Sequence, residues 1–147
     1  MLYDETFALL CDFYELTMAN GYLQNEKSDT VAYFDLFFRQ VPDKGAFAIF
    51  CGLSEAVDYL KNLSFTEDDI QYLRDKGMFS PEFIDYLENF KFCCDVWSVP
   101  EGTPVFPGEI MLYGRYGNNR VLHEVFVGLA DIIFSLMPNL HKGWVLV

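Results

Sequence analysis

TVAYFDLFFRQ, residues 30–40, is the stretch on which the fold turns. Val31, Tyr33, Phe34, Leu36, Phe37 and Phe38 give it the β-branched and aromatic density of a strand. Its near-continuous hydrophobicity predicts burial on both faces, interrupted by Asp35 and closed by Arg39. Just downstream, DKGAFAIFCGL, residues 43–53, repeats the theme. A turn at Gly45 leads into a short buried strand through Phe50, and Gly52 opens a helix carrying Leu53, Ala56, Val57 and Leu60. A strand, a glycine and an amphipathic helix make an αβ unit. The class is therefore α/β (α+β), a mixed sheet with packed helices.

Upstream of that strand, LLCDFYELTMANGY, residues 9–22, places Phe13, Leu16, Met18 and Ala19 ahead of Tyr22 and Leu23 in an approximate helical stripe. A helix over about residues 12–25 follows, with Asp12 as its N-cap or as an acid at the positive end of its dipole. Periodicity leaves Tyr14 open, because a ring in the first turn of a helix serves a core or a ligand equally well. Downstream, Thr66 caps a second helix in the segment from Ser64 to the stop at Gly77, with Glu67, Asp68 and Asp69 complementing its dipole. Ser80, Pro81 and Glu82 start a third, whose inner face carries Phe83, Ile84 and Leu87. From residue 92 the pattern returns to short strands, with Val96 and Val99 before a Pro100-Glu101-Gly102 turn and Pro104 and Pro107 limiting regularity beyond it. Such strands suit a sheet edge or a small barrel-like layer.

Composition bounds the function. The 147 residues are 52% hydrophobic and 18% aromatic, enough for one domain burying about 68–70% of its unfolded surface. A formal charge of −12, from 10 basic and 22 acidic residues, argues against nucleic acid and anionic lipid, since no Lys/Arg cluster offsets it. Cys11, Cys51, Cys93 and Cys94 lack zinc-ligand spacing and read as thiols of a reducing cytoplasm. Asp4 and Glu5 stand where a signal peptide would be basic, and no apolar run reaches the roughly 20 residues that span a bilayer.

Six blocks then stand in order over about residues 7–112: DFYELTMANGY, FDLFFRQVP, AFAIFCGL, FTEDDIQYLR, SPEFIDYLENFKF and VPEGTPVFPGEIML. Together they resemble the N-terminal portion of nicotinate phosphoribosyltransferase. The resemblance implies a type II phosphoribosyltransferase of NAD salvage, in which an α/β N-terminal domain packs against a phosphate-binding barrel. It implies the joining of nicotinate to phosphoribosyl pyrophosphate with coupled ATP hydrolysis, a need for Mg²⁺, and a cytoplasmic homodimer with active sites between subunits.

Two residues carry the family's binding roles by position. The tyrosine of the DFYELTM-type block implies that Tyr14 stacks on the pyridine ring in a partner's pocket. The arginine of the FFR block implies that Arg39 approaches the phosphoribosyl phosphates across the interface, where its fork meets oxygens in pairs. Arg39 paired with Asp35 or Asp43 at a strand end is the structural alternative. Asp12 reads as a cap, PEGTPVFPG as a turn without chemistry, and no catalytic or metal-binding residue is assigned.

After Leu112 the match is lost, and charge shifts with it. Residues 1–112 carry 20 acids and 7 bases; residues 113–147 carry 2 acids, 3 bases and both histidines. The expectation is a 1–112 domain followed by a divergent tail, 113–147, from a frameshift or premature stop, with the catalytic barrel missing and no turnover by the isolated polypeptide. VLHEVFVGLADIIFSLM within that tail has helical spacing, and His123 reads as a surface residue, since Glu124 beside it points about 100° away. Two other readings stay open: a non-catalytic dimerising or interaction module derived from the enzyme, and a relative that uses nicotinamide or quinolinate.

Overall fold

The computed structural model describes residues 8–9, 11–25, 31–41, 45–116 and 142–146. In chain order they form α1 (Phe13–Gln24), β1 (Ala32–Phe38), β2 (Ala48–Ile49), α2 (Leu53–Asn62), α3 (Glu67–Lys76), α4 (Pro81–Glu88), β3 (Asp95–Ser98), β4 (Pro104–Val105), β5 (Leu112–Tyr116) and β6 (Lys142–Leu146). The helix stripe, Gly52, the Thr66 cap, the Gly77 stop and the Ser80-Pro81 start all stand where periodicity and capping chemistry put them. His123, His141 and the apolar run of the tail lie outside the described residues.

Four strands form one sheet in the order β3-β5-β1-β6, and β2 pairs with β4 separately. Every described pairing is antiparallel, so helices and strands combine in the α+β manner. β1 runs between β5 and β6, with Phe34 opposite Gly114 on one side and Leu146 on the other. The boundary expected after Leu112 falls inside this sheet, since β5 begins at that residue and β6 adds a further strand against β1.

Burial of β1 on both faces does not hold. Ala32, Phe34, Leu36 and Phe38 are buried, whereas Tyr33 is 45% exposed and Asp35 and Phe37 are intermediate. The run looks continuous because aromatic rings also occupy the outer face, where Trp97 and Tyr113 stack at 4.9 Å and 11° and Arg115 meets Asp95 at 3.5 Å. Aromatic pairs stabilise such a half-exposed face without needing full burial. Hydrophobicity therefore marks a strand here and not the number of its covered faces.

Two apolar clusters result. One joins the inner side chains of β1 to Phe50, Ala56, Leu60, Leu63, Val105, Met111 and Leu112. The other joins Leu16 and Ala19 of α1 to Ile70 and Leu73 of α3 and to Phe83, Ile84 and Leu87 of α4. Phe65 and Tyr86 pack against both and tie them together.

The PEGTP turn has a defined task. Gly52, at φ 94°, supplies the left-handed entry to α2 but no capping side chain. Glu101 replaces it from 49 residues away: its Oε1 accepts from the backbone N–H groups of Gly52 and Leu53, each at 2.7 Å. A carboxylate at a helix N-terminus satisfies orphan donors and the dipole together. Glu101→Ala is expected to lower the unfolding free energy by about 1 kcal/mol, as loss of an N-cap does, measured by urea titration. An unchanged midpoint would show that water replaces the carboxylate at no cost.

Burial also fixes the protonation of two groups. Burial pushes the Cys94 thiol up to about 12, with Cys93 beside it adding to the shift. Burial likewise raises the Tyr59 phenol. Both groups stay neutral longer in the folded chain than in the unfolded one. Their contribution to stability is whole below the ordinary thiol value near 9 and is lost as pH climbs toward 12. Melting temperature is expected to hold through pH 8 and fall progressively above pH 9; a flat profile to pH 11 would contradict this assignment.

Candidate functional site

Tyr14 stands in the first turn of α1, and that turn is fixed from several directions. Asp12 enters with extended backbone (φ −70°, ψ 138°), its carbonyl accepts from the Glu15 N–H at 3.0 Å, and its own N–H donates to Glu15 Oε2 at 3.2 Å. Glu15 is fully buried, and it is the buried charged residue among those described. The Thr17 hydroxyl donates to the Tyr14 carbonyl at 2.7 Å. Phe13 meets Phe79 edge-on at 5.7 Å, and Asn20 Oδ1 accepts from both the N–H and the hydroxyl of Ser80, at 3.2 and 3.0 Å. These contacts lock α1 to the α3–α4 connection.

Tyr14 belongs to neither apolar cluster and is 49% exposed. Composition and periodicity had left it undecided between core and contact, and the structure places it on the surface. Its ring is thus half-exposed at a helix start whose backbone is fixed on several sides.

Arg39 follows directly on β1 and is exposed, while its neighbour Phe38 is wholly buried. The N–H of Gly108, a residue at φ 83°, donates to the Phe38 carbonyl at 2.9 Å, so the 106–109 turn is fastened beside Arg39. Among the described residues the ion pairs are Arg74 with Glu88 and Arg115 with Asp95; Arg39 has none. Asp35 therefore does not pair with it, and Asp43 lies outside the described residues. Arg39 is thus an exposed guanidinium at the end of the central strand, a group whose fork suits an anion.

The two candidates sit on different elements, Tyr14 on the helical cluster and Arg39 at the end of the central strand. Sequence reasoning overlooked Glu15, although the spacing Asp12-x-x-Glu15 is a capping-box signature that could have found it. It also overlooked Glu101, for which no local signal exists. A groove of about 590 Å³ lies over α3 and α4, lined by Phe65, Ile70, Glu67, Asp68, Arg74 and Glu88. Its charged groups are engaged in the Arg74–Glu88 ion pair and the α3 dipole. No three His, Cys, Asp or Glu side chains among the described residues converge as a cation site.

Comparison with known proteins places these features in context. The model of the nicotinate phosphoribosyltransferase N-terminal domain matches residues 9–115. The chain is 43% identical over 102 residues to nicotinate phosphoribosyltransferase pncB2 of Mycobacterium tuberculosis, covering 69% of this chain and 22% of that protein. It is 39% identical to nicotinate phosphoribosyltransferase 2 of Arabidopsis thaliana over 89% of this chain and 24% of that one, a span that necessarily runs past Leu112. The crystal structure of human nicotinic acid phosphoribosyltransferase superposes with a TM-score of 0.68 at 31% identity, over 82% of this chain and 23% of that one. The chain thus spans about a fifth to a quarter of the length of the relatives it matches.

Proposed function

The chain belongs to the family of nicotinate phosphoribosyltransferase N-terminal domains, and from that premise we propose that it serves the transfer of a phosphoribosyl group from phosphoribosyl pyrophosphate to nicotinate, yielding nicotinate mononucleotide and pyrophosphate in NAD salvage. The observation that carries this reading is Tyr14, half-exposed on a locked first turn within the matched region. In the proposed complex it stacks on the pyridine ring of nicotinate bound to a partner subunit, and Arg39 faces the phosphates of the second substrate.

Displacing pyrophosphate from the ribose carbon develops oxocarbenium character, so rate depends on orienting a flat nucleophile and on cations at the leaving group. A tyrosine face orients the ring, and a forked guanidinium holds phosphate oxygens. Mg²⁺ would neutralise pyrophosphate, and ATP hydrolysis would drive the transfer. Both Mg²⁺ and ATP belong to the proposal for the complete enzyme, as does its homodimer. A cytoplasmic setting fits Cys93 and Cys94, both present as thiols. No helix among the described residues is long and apolar enough to cross a membrane.

The test is complementation. Full-length Arabidopsis enzyme carrying alanine at the position aligned with Tyr14 is mixed with this chain, and nicotinate-dependent pyrophosphate release is followed. Release above that of the alanine variant alone is expected, with none from the 147-residue polypeptide alone. A demonstrated mixed dimer with no recovery would exclude Tyr14 from the pocket and leave the chain as a non-catalytic module.

A further inference from the structure

Helix α1 turns one side of its first two turns inward. Glu15, Leu16 and Ala19 are buried, whereas Phe13, Tyr14 and Met18 are exposed. Successive residues on a helix stand about 100° apart, so a buried position 15 and an exposed position 14 each fix the other. Of the three buried side chains only Glu15 carries polar atoms, and it is 0% exposed. The same capping box stands at α3, where Asp69 takes the corresponding place. Its Oδ2 accepts from the Thr66 N–H at 2.8 Å, and the residue stays partly open to solvent. At α1 the corresponding carboxyl is wholly withdrawn from water, a costlier arrangement for the same cap.

What burial adds is a fixed side chain. An enclosed carboxyl cannot leave its bond by turning into water. Glu15 Oε2 accepts from the Asp12 N–H at 3.2 Å, and the Asp12 carbonyl accepts from the Glu15 N–H at 3.0 Å. These two bonds close a loop around Phe13 and Tyr14, in the part of a helix where N–H groups lack intrahelical partners and fraying begins. On the far side of the loop the Thr17 hydroxyl holds the Tyr14 carbonyl at 2.7 Å.

We propose that Glu15 is the positioning residue for Tyr14: its buried carboxyl keeps the first turn of α1 closed and so fixes the direction in which the tyrosine ring projects toward nicotinate. The inference rests on the functional reading given above and extends it to a residue that does not touch the substrate. An open first turn leaves the ring free to point elsewhere, and apparent affinity then falls with the fraction of chains in which the turn is closed.

Two measurements test this. In Glu15→Ala the residue-15 amide, the donor to the Asp12 carbonyl, should exchange its hydrogen about fivefold faster after correction for intrinsic rates, the factor that loss of one cap contact gives, with α3 and α4 unchanged. In the mixed complex with the full-length Arabidopsis alanine variant, Glu15→Ala should raise the nicotinate KM by about the same factor and leave that for phosphoribosyl pyrophosphate unmoved. It should add nothing in a chain already carrying Tyr14→Ala, since it acts only through that ring. Glu15→Gln, whose side-chain oxygen still accepts from the Asp12 N–H, should recover most of the loss in both measurements. Melting temperature checks that each variant folds. A purely structural role would lower the yield of active complex equally in both Tyr14 backgrounds with KM unmoved; that result overturns the proposal, as does unchanged exchange at residue 15. Failure of the functional reading is distinguishable: a nicotinate KM indifferent to Tyr14→Ala removes the stacking role, and the positioning role with it, whatever the exchange rates show.

Discussion

Phe34→Ala is expected to lower the unfolding free energy by about 3–5 kcal/mol, the usual cost of removing a buried phenyl ring. Phe34 is 1% exposed on the central strand, opposite Gly114, which has no side chain with which to fill the void. Flanking strands on both sides restrict collapse of the backbone, so the cost should lie toward the upper end. Since domains of this size are stable by roughly 5–15 kcal/mol, the variant should lose most of its cooperative transition in urea. Tyr33→Ser, one residue away and 45% exposed, should shift the midpoint far less. Equal losses at the two positions would contradict the alternation of β1.

Tyr14→Ala is expected to raise the nicotinate KM of the mixed complex by about 10- to 100-fold, because stacking on an aromatic side chain is worth about 1–3 kcal/mol per ring. Tyr14→Phe should keep most of the affinity, since the proposed contact is made by the ring face and not by the hydroxyl. Stability should hardly change in either variant, as Tyr14 is half-exposed and outside both apolar clusters. Steady-state titration of nicotinate at saturating phosphoribosyl pyrophosphate separates the outcomes. A wild-type KM in Tyr14→Ala, with the mixed complex shown to form, would refute stacking.

How much of this was legible in the sequence depended on how local each feature is. Thr66, Gly77, Ser80 and Pro81 act within one helical turn, so their types at those spacings sufficed. Glu101 could not be read, because its partners lie 49 and 48 residues away and their selection depends on the fold closing. The two faces of β1 were misjudged for a related reason: aromatic side chains satisfy a half-exposed face as well as a buried one, and only cross-strand neighbours distinguish the cases. The site divides likewise. Tyr14 and Arg39 became candidates through their sequence blocks, while the half-exposed position of the one and the exposed strand-end position of the other are properties of the folded chain.

The position of β1 has a kinetic consequence. Residues 32–38 acquire both of their hydrogen-bonded neighbours from 112–116 and 142–146, so the chain must close long loops before its central strand is paired. On the ribosome, an apolar strand is made early and waits with both edges open until the far segments emerge. The helices α3 and α4, joined by a short connection, can associate in the meantime. Synthesis should therefore pass through a species with formed helices and an unprotected strand, the stage at which aggregation competes with folding.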